Sequence, residues 1–129
     1  MKIILDARTA TSHFPGIGRY VSSLLKAMIA FQDGIYIQVI KDPSTVDYPV
    51  TPFCRSIATN ASVFSLRQQW VIPEIINKID GALYHSTYYL MPYRVKIPVV
   101  FTCHDLIPIV YPKYFSTLQR AIYRLAHLV

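Results

Sequence analysis

Three short segments of the sequence carry groups that could bind a ligand. The first contains Gly16 and Gly18, followed by Arg19. Both glycines permit backbone angles that other residues resist and let a ligand approach closely, and the free amides at a helix start suit a phosphate. The segment is neither a dinucleotide fingerprint, because Val21 replaces the third glycine, nor a phosphate-binding loop, because no Gly-Lys-Ser/Thr follows. We expect phosphate binding here, the alternative being a plain turn before a helix.

His104 and Asp105 form the second segment. They follow Cys103, so a nucleophile, a base and a carboxylate stand in a row. Consecutive residues of a strand point to opposite faces, so these side chains cannot form a catalytic relay. We predict that His104 contacts a sugar hydroxyl or a developing charge, and that Asp105 supports the loop by accepting backbone amides. The alternative is a structural histidine beside a turn-forming aspartate.

His85 and Ser86 form the third segment, at the end of another short apolar run. A zinc site built from His13, His85 and His104 would need a ligand spacing that the sequence lacks, so we predict no metal. Seven of the ten tyrosines lie between positions 84 and 123. Those in loops would serve sugar stacking, partner contacts or closure of the core edge equally well.

The hydrophobic pattern indicates the elements that position these segments. A continuous apolar run at 2–6 predicts a strand buried on both faces. From Ile17 to Asp33-Gly34 the pattern is helical, and 35–40 predicts the second strand. A strand, glycine loop, helix and strand in this order are typical of a parallel α/β sheet. The predicted apolar face of the helix comprises Ile17, Tyr20, Val21, Leu24, Leu25, Met28 and Ile29.

The remaining elements follow from the same pattern. Pro73 lies inside one predicted helix, so we expect a kink or two short helices there. The last helix carries one apolar face, made of Leu118, Ile122, Leu125 and Val129. In a parallel sheet the carboxyl ends of the strands share one edge, so the three segments should gather there. Further strands are predicted at 55–58, 82–85 and 97–103, and helices from a Ser65 cap to about Lys78 and from near Ser116.

Composition limits the classes of function. The 13 basic and 7 acidic side chains give a net charge of +6, which favours an anionic partner. The basic residues form no dense run, so we do not expect nucleic acid as a partner.

With 53% hydrophobic and 16% charged residues the chain is not disordered, and no apolar stretch approaches the ~20 residues that cross a bilayer. Cys54 and Cys103 are expected to be separate thiols. The apolar run after Met1-Lys2 is too short for a signal peptide, so we expect a cytoplasmic protein.

Five segments, in this order and spacing, are similar to a known family. The chain resembles, over nearly its whole length, the N-terminal half of GT-B-fold, family 4 glycosyltransferases, the mannosyltransferase-like group 1 enzymes. The segments are Ile4-Leu5-Asp6-Ala7-Arg8, Gly16-Ile17-Gly18-Arg19-Tyr20, Tyr84-His85-Ser86, Val99-Val100-Phe101-Thr102-Cys103-His104-Asp105-Leu106-Ile107-Pro108 and Tyr111-Pro112-Lys113-Tyr114-Phe115-Ser116.

The resemblance implies an activity and a division of labour between domains. Such enzymes transfer a sugar from a nucleotide-sugar to an acceptor hydroxyl with retention, without a cofactor or an obligatory metal. Their N-terminal domain receives the acceptor, which is a sugar, a polysaccharide or a lipid. By this resemblance the phosphate side is lined by Gly16, Gly18 and Arg19. His104 contacts the transferred sugar with Asp105 supporting its loop, and His85 and Ser86 border the acceptor.

The resemblance also implies that residues 1–129 form one incomplete, Rossmann-like N-terminal domain, truncated relative to the family. The C-terminal domain, which chiefly holds the nucleotide-sugar, would be absent, so we expect the fragment alone to be inactive. Two alternatives stay open. One is a standalone flavodoxin-like module that binds an anionic or phosphate-bearing ligand. The other is a peripheral domain at the inner face of a membrane, using Arg19, Lys26 and the tyrosine loops.

Overall fold

The computed structural model of the protein describes residues 1–31, 34–45, 48 and 51–126. In these residues the strands are β1 (Lys2–Asp6), β2 (Tyr36–Lys41), β3 (Cys54–Ala58), β4 (Leu83–Ser86) and β5 (Val99–Phe101). The helices are α1 (Pro15–Phe31), α2 (Gln68–Asn77), α3 (Ile107–Val110) and α4 (Thr117–Ala126), and Pro112–Tyr114 forms a 3-10 turn.

The five strands form one sheet in the order β3-β2-β1-β4-β5, and every neighbouring pair is parallel. This confirms the predicted α/β architecture with a Rossmann-like parallel sheet. The chain builds one side of the sheet from β1 to β3 and then crosses back to place β4 beside β1. The order of the strands therefore reverses between β1 and β4, which is where open parallel sheets hold their ligands.

Helices cover both faces of the sheet, and each face has its own hydrophobic core. On one face α1 places Val21 and Leu25 against Leu5 of β1 and Val39 of β2. On the other face α2 contributes to a second core made of Ile4, Ile40, Ala61, Ile72, Ile76 and Tyr84. Alternate residues of β1 thus enter different cores, which explains why its sequence is a continuous apolar run.

Most of the predicted apolar face of α1 is confirmed. Val21 and Leu25 are fully buried, and Ile17, Leu24, Met28 and Ile29 pack partly against the same core. Tyr20 differs, because its side chain is 39% exposed. It lies near the beginning of α1, beside the carboxyl edge of the sheet, where it contacts other polar side chains rather than the core.

The start of α2 and the effect of Pro73 differ from the predictions. The helix begins at Gln68, and the Ser65 hydroxyl accepts the N–H of Arg67 in the preceding turn instead of capping the helix. Pro73 does not divide the segment, since α2 continues to Asn77. The residue four positions before Pro73 is Gln69, in the first turn, so the missing hydrogen bond weakens only the beginning of the helix.

The region after β4 contains the largest differences from the predicted boundaries. β5 spans three residues rather than the predicted 97–103, because β4 is short and the bond from Thr102 N–H to Ser86 O ends the pairing. All three side chains of β5 are exposed at the sheet edge. Helix α3 and the 3-10 turn lie between the predicted strand at 97–103 and the last predicted helix, where we predicted no regular element.

The last helix begins close to its predicted start, at Thr117. Leu118, the first residue of its predicted apolar face, is 71% exposed. Val129, the last residue of that face, and His127 lie outside the described residues. Within the ranges given above, no helix is long and apolar enough to span a bilayer.

Candidate functional site

The carboxyl edge of the sheet brings together the loop after β1, the beginning of α1 and the exits of β4 and β5. The register pairs Leu5 with His85 and Asp6 with Ser86, so these exits are adjacent at the point where the strand order reverses. Two hydroxyl groups join the first two loops. Thr87 donates its hydroxyl hydrogen to Asp6 O at 2.6 Å, so the Thr9 hydroxyl, 3.0 Å from Thr87 Oγ1, donates to the Thr87 hydroxyl oxygen.

The two predicted histidines lie on neighbouring strand exits and hydrogen bond across them. His85 Nε2 lies 2.9 Å from the Thr102 hydroxyl, just after β5. His104 Nε2 lies 2.9 Å from Thr87 O, just after β4. A carbonyl oxygen only accepts, so His104 carries a proton on Nε2, and in the neutral ring its Nδ1 remains an acceptor. The second imidazole nitrogen of an exposed ring is therefore available to a ligand hydroxyl.

Tyr20 connects the beginning of α1 with both histidines. Its ring meets the His104 ring edge-on, with 5.3 Å between centroids and an angle of 84°. Its hydroxyl lies 3.3 Å from the Thr102 hydroxyl, which is also the partner of His85. Tyr20, His85, Thr102 and His104 thus form one group, which we call the histidine cluster. The sequence placed Tyr20 on the apolar face of a helix and gave no separate signal for Thr102.

The electrostatic environment of the cluster favours a neutral His85. Burial lowers the pKa of His85, because the charged ring would lose hydration, and the nearby Asp6 carboxylate opposes this effect without reversing it. A neutral ring both donates and accepts one hydrogen bond. His85 can therefore share the Thr102 hydroxyl and still offer its other nitrogen.

The two glycines have different environments. A methyl group at Gly16 would meet nothing within 4 Å, whereas one at Gly18 would lie 3.2 Å from Thr11 O. Neither glycine has a positive φ, so the conformational freedom that we expected is not used. Gly18 instead allows the close packing of α1 against its preceding loop. Gly16 and Arg19 are exposed at the start of α1, where a ligand can reach them.

Ser86 and Asp105 do not join the histidine cluster. Ser86 follows His85 in the strand and therefore faces the opposite core, where it is buried and donates to Tyr88 O at 2.7 Å. Asp105 is exposed, and its Oδ1 accepts the N–H of Ile107 at 3.1 Å at the beginning of α3. Its partner is thus a backbone amide of its own loop.

A buried ionic network at the same edge was missed by sequence reasoning. Asp6 accepts two bonds from Arg8 Nε, at 2.8 and 3.1 Å, one from Arg8 Nη2 at 2.6 Å and one from the Tyr84 hydroxyl at 2.5 Å. Arg8 Nη1 donates to Ala61 O, and Nη2 also reaches Gln68 Oε1. The only available signal was a pair of opposite charges, two residues apart, at the end of a buried strand.

The network fixes the charges of its members. Burial lowers the pKa of Arg8, but the adjacent Asp6 charge and hydrogen bonds outweigh it, so the pKa lies above its usual value. Burial, followed by the negative charge of Asp6, raises the pKa of Tyr84 well above the ordinary range. Among the described residues, every buried polar side-chain atom has a hydrogen-bond partner. The network therefore stabilises the edge and does not offer groups to a ligand.

Two concave surfaces accompany the sheet. A cavity of about 220 Å³ opens at the carboxyl edge between the loop after β1, Asp42 after β2 and the segment before α2. A depression of about 430 Å³ lies near the amino ends of β1 and β2, lined by Lys2, Tyr36, Phe53 and Arg55 among others. The larger one lies at the opposite end of the strands from the histidine cluster, so the carboxyl edge is the candidate site. His13, His85 and His104 form no metal-binding group in the described part of the chain.

Comparisons of the chain with protein-family models, with curated proteins and with solved structures found no match. The function of this chain must therefore be inferred from its own residues and their geometry.

Proposed function

We propose that this chain is the acceptor-side domain of a retaining glycosyltransferase that moves a sugar from a nucleotide-sugar to an acceptor hydroxyl. The observation that carries the proposal is the histidine cluster at the point where the strand order reverses. Tyr20, His85 and His104 come from three separate segments of the resemblance, and they lie in hydrogen-bond or ring contact, directly or through Thr102.

The geometry supports the roles that the resemblance implies. His104 is exposed. Its ring is fixed by the hydrogen bond from Nε2 to Thr87 O and by an edge-on contact with the ring of Tyr20. A fixed imidazole with one available nitrogen suits the hydroxyl of a sugar or the charge that develops during transfer. Gly16 and Arg19 lie exposed at the beginning of α1, where backbone amides and the helix dipole favour the phosphates of a donor.

A second domain is part of the proposal. Catalysis by positioning and charge stabilisation needs groups on both sides of the transferred sugar, and the described residues supply one side. The nucleotide-sugar would be held mainly by that other domain. Peripheral membrane contact would accompany a lipid acceptor, and binding to anionic vesicles that is lost at high salt would support it.

Sugar transfer tests the proposal. In a two-domain protein that joins this chain to a donor-binding domain, His104→Ala should lower turnover by about 100-fold or more, as expected for loss of a group that stabilises developing charge. Tyr36→Phe, at the opposite end of the sheet, should leave turnover unchanged. Unchanged turnover in His104→Ala would reject the proposed role.

An independent anion-binding module is the second candidate, and the net charge of +6 together with exposed Arg19 at the α1 start favours it. The two candidates predict opposite results for the 129-residue chain alone. The module should bind a nucleotide or inorganic phosphate saturably, with NMR shifts at Gly16 and Arg19. The glycosyltransferase domain should bind nucleotide-sugars weakly, because most donor contacts would lie in the other domain.

A further inference from the structure

The cavity of about 220 Å³ at the carboxyl edge has an aromatic wall. The rings of Phe14 and Phe64 form this wall and lie 5.8 Å apart, and each also contacts the ring of Tyr88, which is not a lining residue, at 6.2 and 6.0 Å. The His13 ring meets Phe14 edge-on at 4.7 Å. Phe64 is 57% exposed, so a large apolar face remains open to solvent. Such a face suits a ligand that is itself apolar on one side.

Polar groups border the aromatic wall. Asp42 lines the cavity, and the bonds that it accepts from Ser44, one from the amide and one from the hydroxyl, use a single carboxylate oxygen. A carboxylate accepts about four hydrogen bonds, so Asp42 can also accept from two neighbouring hydroxyls. The exposed His13 ring, which also lines the cavity, adds a donor or an acceptor. The cavity thus combines a flat apolar surface with hydrogen-bonding groups at its margin.

The charges at the cavity discriminate against an anion. The charged or titratable side chains that line it, among the described residues, are Arg8, His13 and Asp42. All three guanidinium nitrogens of Arg8 already donate to protein acceptors, and its charge is compensated by Asp6 at 2.6 Å. Within the described residues no cation forms an ion pair with the Asp42 carboxylate, so a ligand in the cavity meets its negative charge. A neutral ligand with several hydroxyl groups fits, whereas a phosphate would be repelled.

The volume of the cavity and its position in the fold further limit the ligands that it can hold. Pockets for drug-sized ligands have volumes of about 300–1,000 Å³, so this cavity accommodates a single ring. The ring of Phe64 contacts Tyr88, which follows Thr87, and the carbonyl of Thr87 accepts the hydrogen bond from His104. The cavity and the histidine cluster therefore lie at the same carboxyl edge and are linked through Tyr88 and Thr87.

We propose that this cavity is a subsite for a neutral pyranose ring, the terminal sugar of the acceptor. The apolar face of the ring packs against Phe14 and Phe64, and its hydroxyls bond to Asp42 and His13. The inference rests on the proposed function, and it specifies an acceptor that ends in an unphosphorylated sugar.

Binding of simple glycosides to the 129-residue chain tests the inference. Methyl α-mannopyranoside and methyl α-glucopyranoside are titrated into labelled protein and followed by NMR, with mannose 6-phosphate as the anionic comparison. At least one neutral glycoside should shift the signals of His13, Asp42 and Phe64 saturably, and the phosphorylated sugar should bind about tenfold more weakly or worse. Stronger binding of mannose 6-phosphate, measured at the signals of His13, Asp42 and Phe64, would overturn the inference, as would the failure of both glycosides to saturate these signals at about 20 mM.

Matched variants locate the binding. Phe64→Ala should weaken glycoside binding by about tenfold or more, whereas Phe53→Ala, which removes an exposed aromatic ring at the other end of the sheet, should not. Asp42→Asn should weaken binding of the glycoside and reduce the difference in affinity between the glycoside and mannose 6-phosphate. Unchanged binding in Phe64→Ala contradicts the subsite even if a sugar binds elsewhere.

The outcomes separate the subsite from the proposed function. Shifts confined to His85 and His104 leave the proposed function standing and refute the subsite. Shifts at Phe64 and Asp42, combined with a two-domain protein in which His104→Ala has full turnover, keep the sugar site and refute the catalytic proposal.

Discussion

Replacing Arg8 by methionine should reveal how strongly the buried ion pair holds the carboxyl edge. Arg8 is 5% exposed, and the substitution keeps its aliphatic bulk while removing every guanidinium bond. Asp6 would keep Tyr84 as its side-chain donor among the described residues. Removing one partner of a buried pair costs about 3–5 kcal/mol, out of the ~5–15 kcal/mol that stabilise a typical domain. The variant should fold, with a much smaller free energy of unfolding.

Urea unfolding followed by circular dichroism measures this loss. With a slope of about 2 kcal/mol per M, the midpoint should fall by roughly 1.5–2.5 M. Asp6→Asn combined with Arg8→Met should be more stable than Arg8→Met alone, because no lone carboxylate is buried. Lys78→Met is the control, since its ion pair with Glu74 is exposed, and its midpoint should not change. A midpoint of Arg8→Met equal to that of Lys78→Met would refute the reasoning.

Three further predictions concern the histidine cluster and the glycine loop. Because burial lowers the pKa of His85 below 6.5, the unfolded chain binds the proton more readily, and stability should fall as the pH drops through about 6.5. His85→Gln should reduce this dependence in urea midpoints compared between about pH 7.5 and about pH 5, and equal slopes would contradict the assignment. Thr102→Val removes the hydroxyl shared by His85 and Tyr20 and should cost about 1–2 kcal/mol in thermal unfolding, whereas Thr102→Ser should keep most of it. Gly16→Ala should be neutral or stabilising by up to about 1 kcal/mol, whereas Gly18→Ala should be less stable, because only the methyl group added at Gly18 meets backbone atoms. If thermal unfolding shows Gly18→Ala to be the more stable variant, the loop before α1 relaxes freely.

The parallel sheet could be predicted because local patterns determine it. The buried run of β1, the helical period of α1 and the second apolar run suffice for a strand-helix-strand unit, and parallel strands then place their exits at one edge. The three predicted segments therefore came from the correct part of the fold. Boundaries were less predictable where pairing sets them: β5 is short because β4 offers it only a short partner.

The buried network could not be predicted because it depends on register between distant strands. Asp6 and Tyr84 are 78 positions apart, and they meet because β1 and β4 pair so that both side chains enter the same core. Arg8 lies after β1, and its final partner, Gln68, begins α2. Composition and periodicity carry no information about such contacts. The same limit hid Thr102, whose importance lies in joining two other side chains.

Because side chains alternate across the sheet, the buried ionic network and the histidine cluster lie on opposite faces of the same carboxyl edge. Tyr84 and Ser86 point into the core beneath α2, where the Asp6–Arg8 network is fully paired. His85, between them, points to the face of α1 and joins Tyr20 through Thr102. Charges that would be costly if unpaired are thus enclosed on one face, and partly exposed hydrogen-bonding side chains remain on the other. Substitutions in the histidine cluster should consequently change ligand contacts at a cost of about 1–2 kcal/mol, less than the ~3–5 kcal/mol expected for the buried network, so that most variants of the cluster stay folded for binding measurements.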